Sequence, residues 1–430
     1  YEKGARKGKI HHKNTKIRLR KTPTIPAQFQ TAVSMKTSPK RRLVPYITAA
    51  KQKGKKVYHL HIGQPDIKTP QGFFDAIKNF NEETLEYAVS QGLPELIDVM
   101  IDYYATYDMH FEKDEILIMN GGSEALLFAM MATCDPGDNI LVPEPFYTNY
   151  NGFGSCVNVN VTPITTLPEN GFHLPSKEEI VSKINDKTKA ILISNPGNPT
   201  GAVYTKEEVY MLANIAIENN LWIIADEVYR EFVYDGLEYT SFGNIPEIAD
   251  RVIIVDSVSK RYSACGARIG SLASKNKALM AQVLKLCQGR LCVSTLDQIG
   301  AIELYKTPKS YFAEVNNEYK NRRDVLYNEL MKVDGVICEK PTGAFYILAK
   351  LPIEDAEDFV LWMLNEFEVD GETVMACPAK GFYATKGLGT SEIRLAYILN
   401  ENDLRKAANI LKQGLEKYIE LQNEKVLATN

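Results

Sequence analysis

The chain lacks any run of about 18 apolar residues, the length a helix needs to cross a bilayer, so no membrane-spanning helix is expected. It lacks a surplus of either charge. The 50 Lys and Arg nearly balance 54 Asp and Glu, and a net charge of −4 over 430 residues gives no signal for nucleic acid or an anionic membrane. It lacks CxxC pairs: Cys134, Cys156, Cys265, Cys287, Cys292, Cys338 and Cys377 are scattered, without neighbouring histidines. That spacing offers no metal site, and an odd cysteine count in a large chain reads as free thiols in a reducing compartment. No GxGxxG follows a strand, which weighs against a nicotinamide dinucleotide. The basic stretch KGKIHHKNTKIRLR, residues 7–20, lacks the apolar core of a secretory signal. Residues 1–40 are therefore expected to form a solvated basic arm, too small for a helix-turn-helix, and the cytoplasm is the expected location.

What is present is a recurring strand–helix rhythm. EILIM runs into Asn120-Gly121-Gly122-Ser123 and a helical pattern, and NILVP follows. KAILIS runs into the loop Asn195–Gly201, then a helix, then LWIIAD and RVIIVDS. Short apolar runs without alternation suit strands covered on both faces, and their alternation with helices argues an α/β fold around a mostly parallel sheet. Polar residues punctuate the carboxyl ends of these strands, where open α/β sheets bind ligands. Gly122, Asn198, Asp226 and Ser257 are thus placed along one rim. After about residue 310 the pattern changes. A long amphipathic helix is followed by GVICEKPTGAFYILAKL, read as strand, turn at Pro341-Thr342-Gly343 and strand, then by a helix and a late strand, EIRLAYIL. The expected division is a large domain over 76–310 and a smaller α+β domain built from 41–75 and 311–430.

Three segments need a joint explanation. Asp226 closes a buried apolar strand, which is costly without a partner, although it could cap the following helix. Lys260 follows Ser257-Val258-Ser259 after another strand, a position where lysines are usually at the surface. The Asn195–Gly201 loop taken alone is an ordinary turn. Together they supply an amine for covalent attachment of an aldehyde, a carboxylate for a ring nitrogen, donors for a phenolic oxygen and an NH-rich cationic cup for phosphate.

The pattern resembles the class I, aspartate aminotransferase-like enzymes of fold type I, which depend on pyridoxal 5′-phosphate (PLP). The residues that carry it are Tyr87 with Gly92-Leu93-Pro94-Glu95-Leu96, Gly121-Gly122-Ser123-Glu124-Ala125, Asn195-Pro196 and Asn198-Pro199-Thr200-Gly201, Asp226-Glu227 and Tyr229, Ser257 and Ser259-Lys260 with Arg268-Ile269-Gly270, and Arg394. The resemblance implies a mostly parallel, seven-stranded-type sheet flanked by helices in the large, PLP-binding domain. It implies Lys260 as the cofactor-bound lysine and proton carrier, Asp226 as partner of the ring nitrogen, and Tyr229 and Asn198 as donors to the phenolic oxygen. Gly122, Ser123, Ser257 and Arg268 would hold the phosphate. Tyr147 would stack on the ring, with Phe146 the alternative one residue away. Tyr87 would reach the neighbouring subunit's phosphate, which requires a homodimer with shared sites. Arg394, with Asn198 and the backbone of Gly63, would bind the substrate carboxylate.

The implied reaction is a ping-pong transfer of an amino group from an L-amino acid, aspartate or similar, to a 2-oxo acid such as 2-oxoglutarate. Ser123 is uncharged where some relatives carry lysine, which questions simple aspartate specificity, and Arg290 is a second candidate cation at the neighbouring site. A carbon–sulfur β-lyase on the same scaffold is the alternative activity.

Overall fold

The computed structural model describes residues 42–429, and the arm expected over 1–40 lies outside the described residues. Twelve strands are formed among them: β1 (Lys56–His59), β2 (Ile116–Asn120), β3 (Asn139–Glu144), β4 (Asn160–Thr165), β5 (Thr188–Ser194), β6 (Trp222–Asp226), β7 (Val252–Ser257), β8 (Ile269–Ala273), β9 (Tyr346–Lys350), β10 (Glu372–Met375), β11 (Cys377–Pro378) and β12 (Glu392–Ala396). Seven of them make one sheet in the order β2-β8-β7-β6-β5-β3-β4. All its neighbours pair in parallel except at β8, which runs antiparallel to both β2 and β7.

The apolar runs are continuous because the sheet is covered on both sides. Ile116 and Ile118 of β2 join one buried cluster while Leu117 and Met119 join another, and Ile223 and Ile224 of β6 divide in the same way. The helix Lys206–Glu218 starts where the sequence says it should. The Thr205 hydroxyl accepts from the Glu208 amide, and the Thr205 amide donates to the Glu208 carboxylate.

The remaining strands form two small sheets, β1 with β10 and β11-β12-β9. β1 pairs in parallel with β10, so residues 56–59 rejoin the chain's later half. A third apolar cluster unites Leu43, Ile47 and Tyr58 with residues as late as Leu415. One expectation is corrected here. Of the strand–turn–strand read over 335–351, only β9 is a strand, and the first half touches it through a single bridge, Ile337 with Lys350. The intervening segment is drawn away to the large sheet's side: Gly343 bridges Val233, and the Thr342 and Gly343 amides both donate to the Gly201 carbonyl.

The antiparallel course of β8 matters for the rim. Its beginning, not its end, lies beside the carboxyl ends of β2 and β7, with Ile269 opposite Asn120 and Gly270 opposite Ser257. Three backbones converge there, and a Cβ on Gly270 would lie 2.6 Å from the Gly121 carbonyl carbon and 2.8 Å from both the Asp256 oxygen and the Gly122 nitrogen. Gly270→Ala is expected to destabilise the protein by about 1–3 kcal/mol through overpacking of backbone that cannot give way, measured by denaturant unfolding.

Candidate active site

A cavity of about 280 Å³ opens at this rim. Asp226 ends β6, Ser257 ends β7, Ser194 ends β5, and Gly122 and Ser123 open the helix Gly121–Thr133 directly after β2. Lys260 sits in the single turn Val258–Arg261 that follows β7, and Arg268 immediately precedes β8. Arg268 holds a left-handed backbone, φ 55°, a conformation L-residues adopt at a cost. Its guanidinium lies against the helix start, where a Cβ on Gly121 would fall 2.3 Å from Nη2. Helix-terminal amides and a guanidinium therefore face one spot, an arrangement that suits a phosphate dianion.

The charges at this cavity lack internal partners. Asp226 is buried, and its carboxylate receives the Tyr150 hydroxyl at 2.6 Å and the Val228 amide at 3.4 Å. No cation pairs with it among the described residues. Burial pushes its carboxyl up to about 6 from the usual 3.8, against the lowering effect of the Tyr150 bond. Arg268 donates to the Cys265 carbonyl, and Lys260 Nζ donates to the Gly63 carbonyl at 2.7 Å, with Cys265 Sγ at 3.8 Å.

Arg394 is fully buried in β12. Its Nη1 donates to Asn198 Oδ1 at 3.1 Å and Nη2 to the His61 carbonyl at 2.7 Å, while Nε has no partner. Tyr346 and Phe382 pack their rings on the guanidinium, with centroids at 4.5 and 5.1 Å. No carboxylate lies within ion-pair distance of it among the described residues, so a buried cation waits for an external anion.

A ligand with a phosphate, a cationic ring nitrogen and an aldehyde matches Arg268 with the helix start, Asp226 and Lys260 respectively, so the residues present fit PLP. Of the residues singled out from sequence, Gly63, Gly122, Ser123, Tyr147, Asn198, Asp226, Tyr229, Ser257, Lys260 and Arg268 line the cavity, and Arg394 adjoins it through Asn198. Phe146 instead is buried in the core, so Tyr147 is the aromatic of that pair at the cavity. Tyr87 stands outside, 80% exposed. Arg290 is also outside its own chain's cavity, with Nε 3.2 Å from Glu124 and Nη2 on the Ile118 carbonyl.

Sequence reasoning assigned no role to Tyr150, Ser259, Cys265 or Tyr346, all of which line the cavity. Ser259 had a signal, since it stands between Ser257 and Lys260, and its hydroxyl lies 2.8 Å from that of Ser257. Tyr150 stands three residues beyond Tyr147, a spacing that can put both rings on one side of a helix start. Tyr346 gave none, being one apolar letter in AFYILA, yet its hydroxyl lies 2.7 Å from that of Tyr229.

Residues 55–411 match the family model described as aminotransferase class I and II. The aspartate aminotransferase of Bacillus subtilis is 28% identical over 378 residues, covering 86% of this chain and 93% of that one. The crystal structure of aspartate aminotransferase from Thermotoga maritima superposes with a TM-score of 0.82 at 29% identity, over 90% of this chain and 99% of that one. The alanine aminotransferase from Pyrococcus furiosus gives 0.82 at 30% identity, with the same coverage.

The raised carboxyl of Asp226 makes a test. Because its folded value lies above its unfolded one, ionisation opposes folding: the penalty is absent below pH 4, grows between about 4 and 6, and persists above. Asp226→Asn is expected to raise the melting temperature of the cofactor-free protein at pH 8 by a few degrees, with no gain at pH 4. The same variant loses PLP affinity, which differential scanning with and without cofactor reads directly.

Proposed function

The chain belongs to the class I and II aminotransferases, which carry pyridoxal phosphate, and from that membership we propose which of its residues do the work. The single observation that supports the assignment best is the set of unmatched charges, Asp226, Arg268 and Arg394, gathered about the one amine of Lys260. When bound, PLP supplies an aldehyde carbon for the amine and a ring that accepts electrons. Lys260 Nζ is the group that would hold the cofactor through that carbon and, when free, would act as the base and acid that moves the substrate α-proton. Asp226 keeps the ring nitrogen protonated. Tyr229 remains a phenol because burial holds its hydroxyl well above the ordinary range, so it donates, with the Asn198 amide, to the ring's phenolic oxygen. Tyr147 would lie against the ring, and Gly122, Ser123, Ser257 and Arg268 would hold the phosphate.

Arg394 takes the substrate carboxylate in a two-pronged contact, with the Gly63 backbone on the other side. Close approach requires glycine there, because a Cβ on Gly63 would fall 2.0 Å from the Tyr346 hydroxyl. The donor we propose is an L-amino acid, aspartate first, with 2-oxoglutarate as acceptor. The names of the Bacillus and Thermotoga relatives support aspartate, and that of the Pyrococcus one makes alanine the comparison. The active form we propose is a homodimer in which Tyr87 reaches the partner's phosphate; its exposure is what a residue serving another subunit would show. No helix among the described residues is long and apolar enough to cross a membrane. The cytoplasm is the compartment we propose, supported by seven free cysteines.

Lys260→Ala is expected to abolish turnover and the visible absorbance of the bound cofactor. Arg394→Ala is expected to raise KM for the amino donor about 30- to 1000-fold, the scale of losing one partner of a buried charge pair. Rates with aspartate and alanine in parallel decide the donor, and a preference for alanine removes aspartate. Mixing Lys260→Ala with Tyr87→Ala subunits tests the shared site, because one site of each hybrid is then intact. Activity well above that of either variant alone is expected, and no gain on mixing rejects the shared dimer.

A further inference from the structure

Behind the cavity floor lies a second set of charges that the chemistry does not use. Glu227, Arg230, Asp256 and Arg261 are all buried, with side chains no more than 1% exposed. Arg230 donates to Glu227 Oε2 at 2.7 and 3.0 Å and to Asp256 Oδ2 at 2.8 Å. Arg261 Nη2 donates to both Asp256 oxygens at 2.8 Å. Ser241 Oγ donates to Glu227 at 2.7 Å, and Asp256 Oδ1 accepts the Ser257 amide at 2.8 Å. Arg261 also packs on the Tyr103 ring, its centroid 4.1 Å away.

The placement in sequence is what gives this network meaning. Each member directly follows or precedes a residue of the cavity: Asp226 with Glu227, Tyr229 with Arg230, Asp256 with Ser257, and Lys260 with Arg261. One residue of each pair faces the ligand and the other faces the network. These four cavity groups sit on two separate pieces of chain: β6 with the turn after it, and the end of β7 with its following turn. Only the two strands are tied by ladder bonds, which stop at the rim. The network continues the connection past that point, as Arg230 joins the first turn to the second through Asp256.

We propose that Glu227, Arg230, Asp256 and Arg261 are positioning residues, a buried ionic lattice that fixes Asp226 and Tyr229 relative to Lys260 and so sets the orientation of the bound ring. A buried ion pair is weak evidence for added stability, and registry is its better-attested use. Arg394 stands on β12, outside the lattice, so carboxylate binding is separable from it.

The test uses the PLP-loaded enzyme, with visible circular dichroism per bound cofactor as a measure of ring orientation. Arg261→Met is expected to lower kcat about 10- to 100-fold, the scale of a small misplacement of reacting groups, with KM for the donor within about twofold. The dichroism falls by half or more, and Arg261→Lys recovers most of both. A folded Arg261→Met with wild-type dichroism overturns the proposal, whether kcat is unchanged or reduced, because the ring is then held as before. Should Arg261→Met not accumulate as folded protein, Ser241→Ala carries the same test by removing one hydrogen bond from Glu227. Reduced dichroism with a kcat about 3- to 10-fold lower supports the lattice, and wild-type values of both reject it.

Discussion

A carboxylate at the end of β6 is buried and left without a cation, and most of the site's design can be read as a response to that. The other buried acids of the same rim are compensated internally, by guanidinium groups or by several hydrogen bonds. Asp256 has two guanidinium groups, Glu227 has Arg230 and Ser241, and Glu144 accepts four hydrogen bonds from Thr165, Ala384 and Thr385. Asp226 has a phenol and one long amide contact. Desolvation without compensation is costly for an ion, so the carboxyl is driven toward its neutral form until a positive partner arrives. A pyridinium nitrogen is such a partner. In the assignment proposed above, that interaction would stabilise the protonated ring and the ionised acid together, the electronic state the ring needs to accept electrons.

The same reasoning holds with the sign reversed at Arg268 and Arg394. Each is a guanidinium whose hydrogen bonds go to neutral oxygens, leaving net charge for an anion. The Tyr346 and Phe382 faces keep Arg394 dry, and in a water-poor site its attraction to a carboxylate is strengthened. Unmatched charge is thus a store of binding free energy. Since ligand binds only the folded chain, every factor of ten in occupancy ratio adds about 1.4 kcal/mol to its stability. The cofactor-free protein tolerates the arrangement because its core is extensive, with both sheet faces covered by apolar clusters.

How much of this was legible in the sequence depended on whether the signal was local. β5, β6 and β7 announced themselves because a strand buried on both faces must be apolar throughout, and their polar ends then marked the rim. Arg268 could be named from its motif, but its place at the rim could not be argued, because strand direction is not encoded in a five-residue apolar run such as β8. The segment before β9 was misread for a related reason. The arm before the turn meets β9 only at Ile337, while Thr342 and Gly343, read as the turn, donate to the Gly201 carbonyl, a competition decided by distant chain. Tyr346 was invisible as a site residue, and Tyr150 had only its spacing from Tyr147 to mark it, because a tyrosine reads as core until its hydroxyl partner is known.

The two halves of the site sit on different sheets, so their spacing must be fixed by something other than strand pairing. Asp226 ends a strand of the seven-stranded sheet and Lys260 and Arg268 flank its strands, whereas Arg394 belongs to β12. Several connections bridge them. Glu144, at the end of β3, grips the backbone of Ala384 and Thr385, and the Phe146 amide donates to the Phe382 carbonyl. That holds Phe382 over Arg394 from the large-sheet side. The loop after β5 accepts the Thr342 and Gly343 amides through Gly201, which sets β9 and with it β12. Finally Asn198, in the same loop, bonds Arg394 directly. Under the proposed assignment, a substrate held by its carboxylate at Arg394 would present its α-carbon at a distance from Lys260 set by buried hydrogen bonds rather than by the substrate itself. That would be the geometric condition for a single amine to move the α-proton, with the choice of amino acid left to whatever meets the side chain.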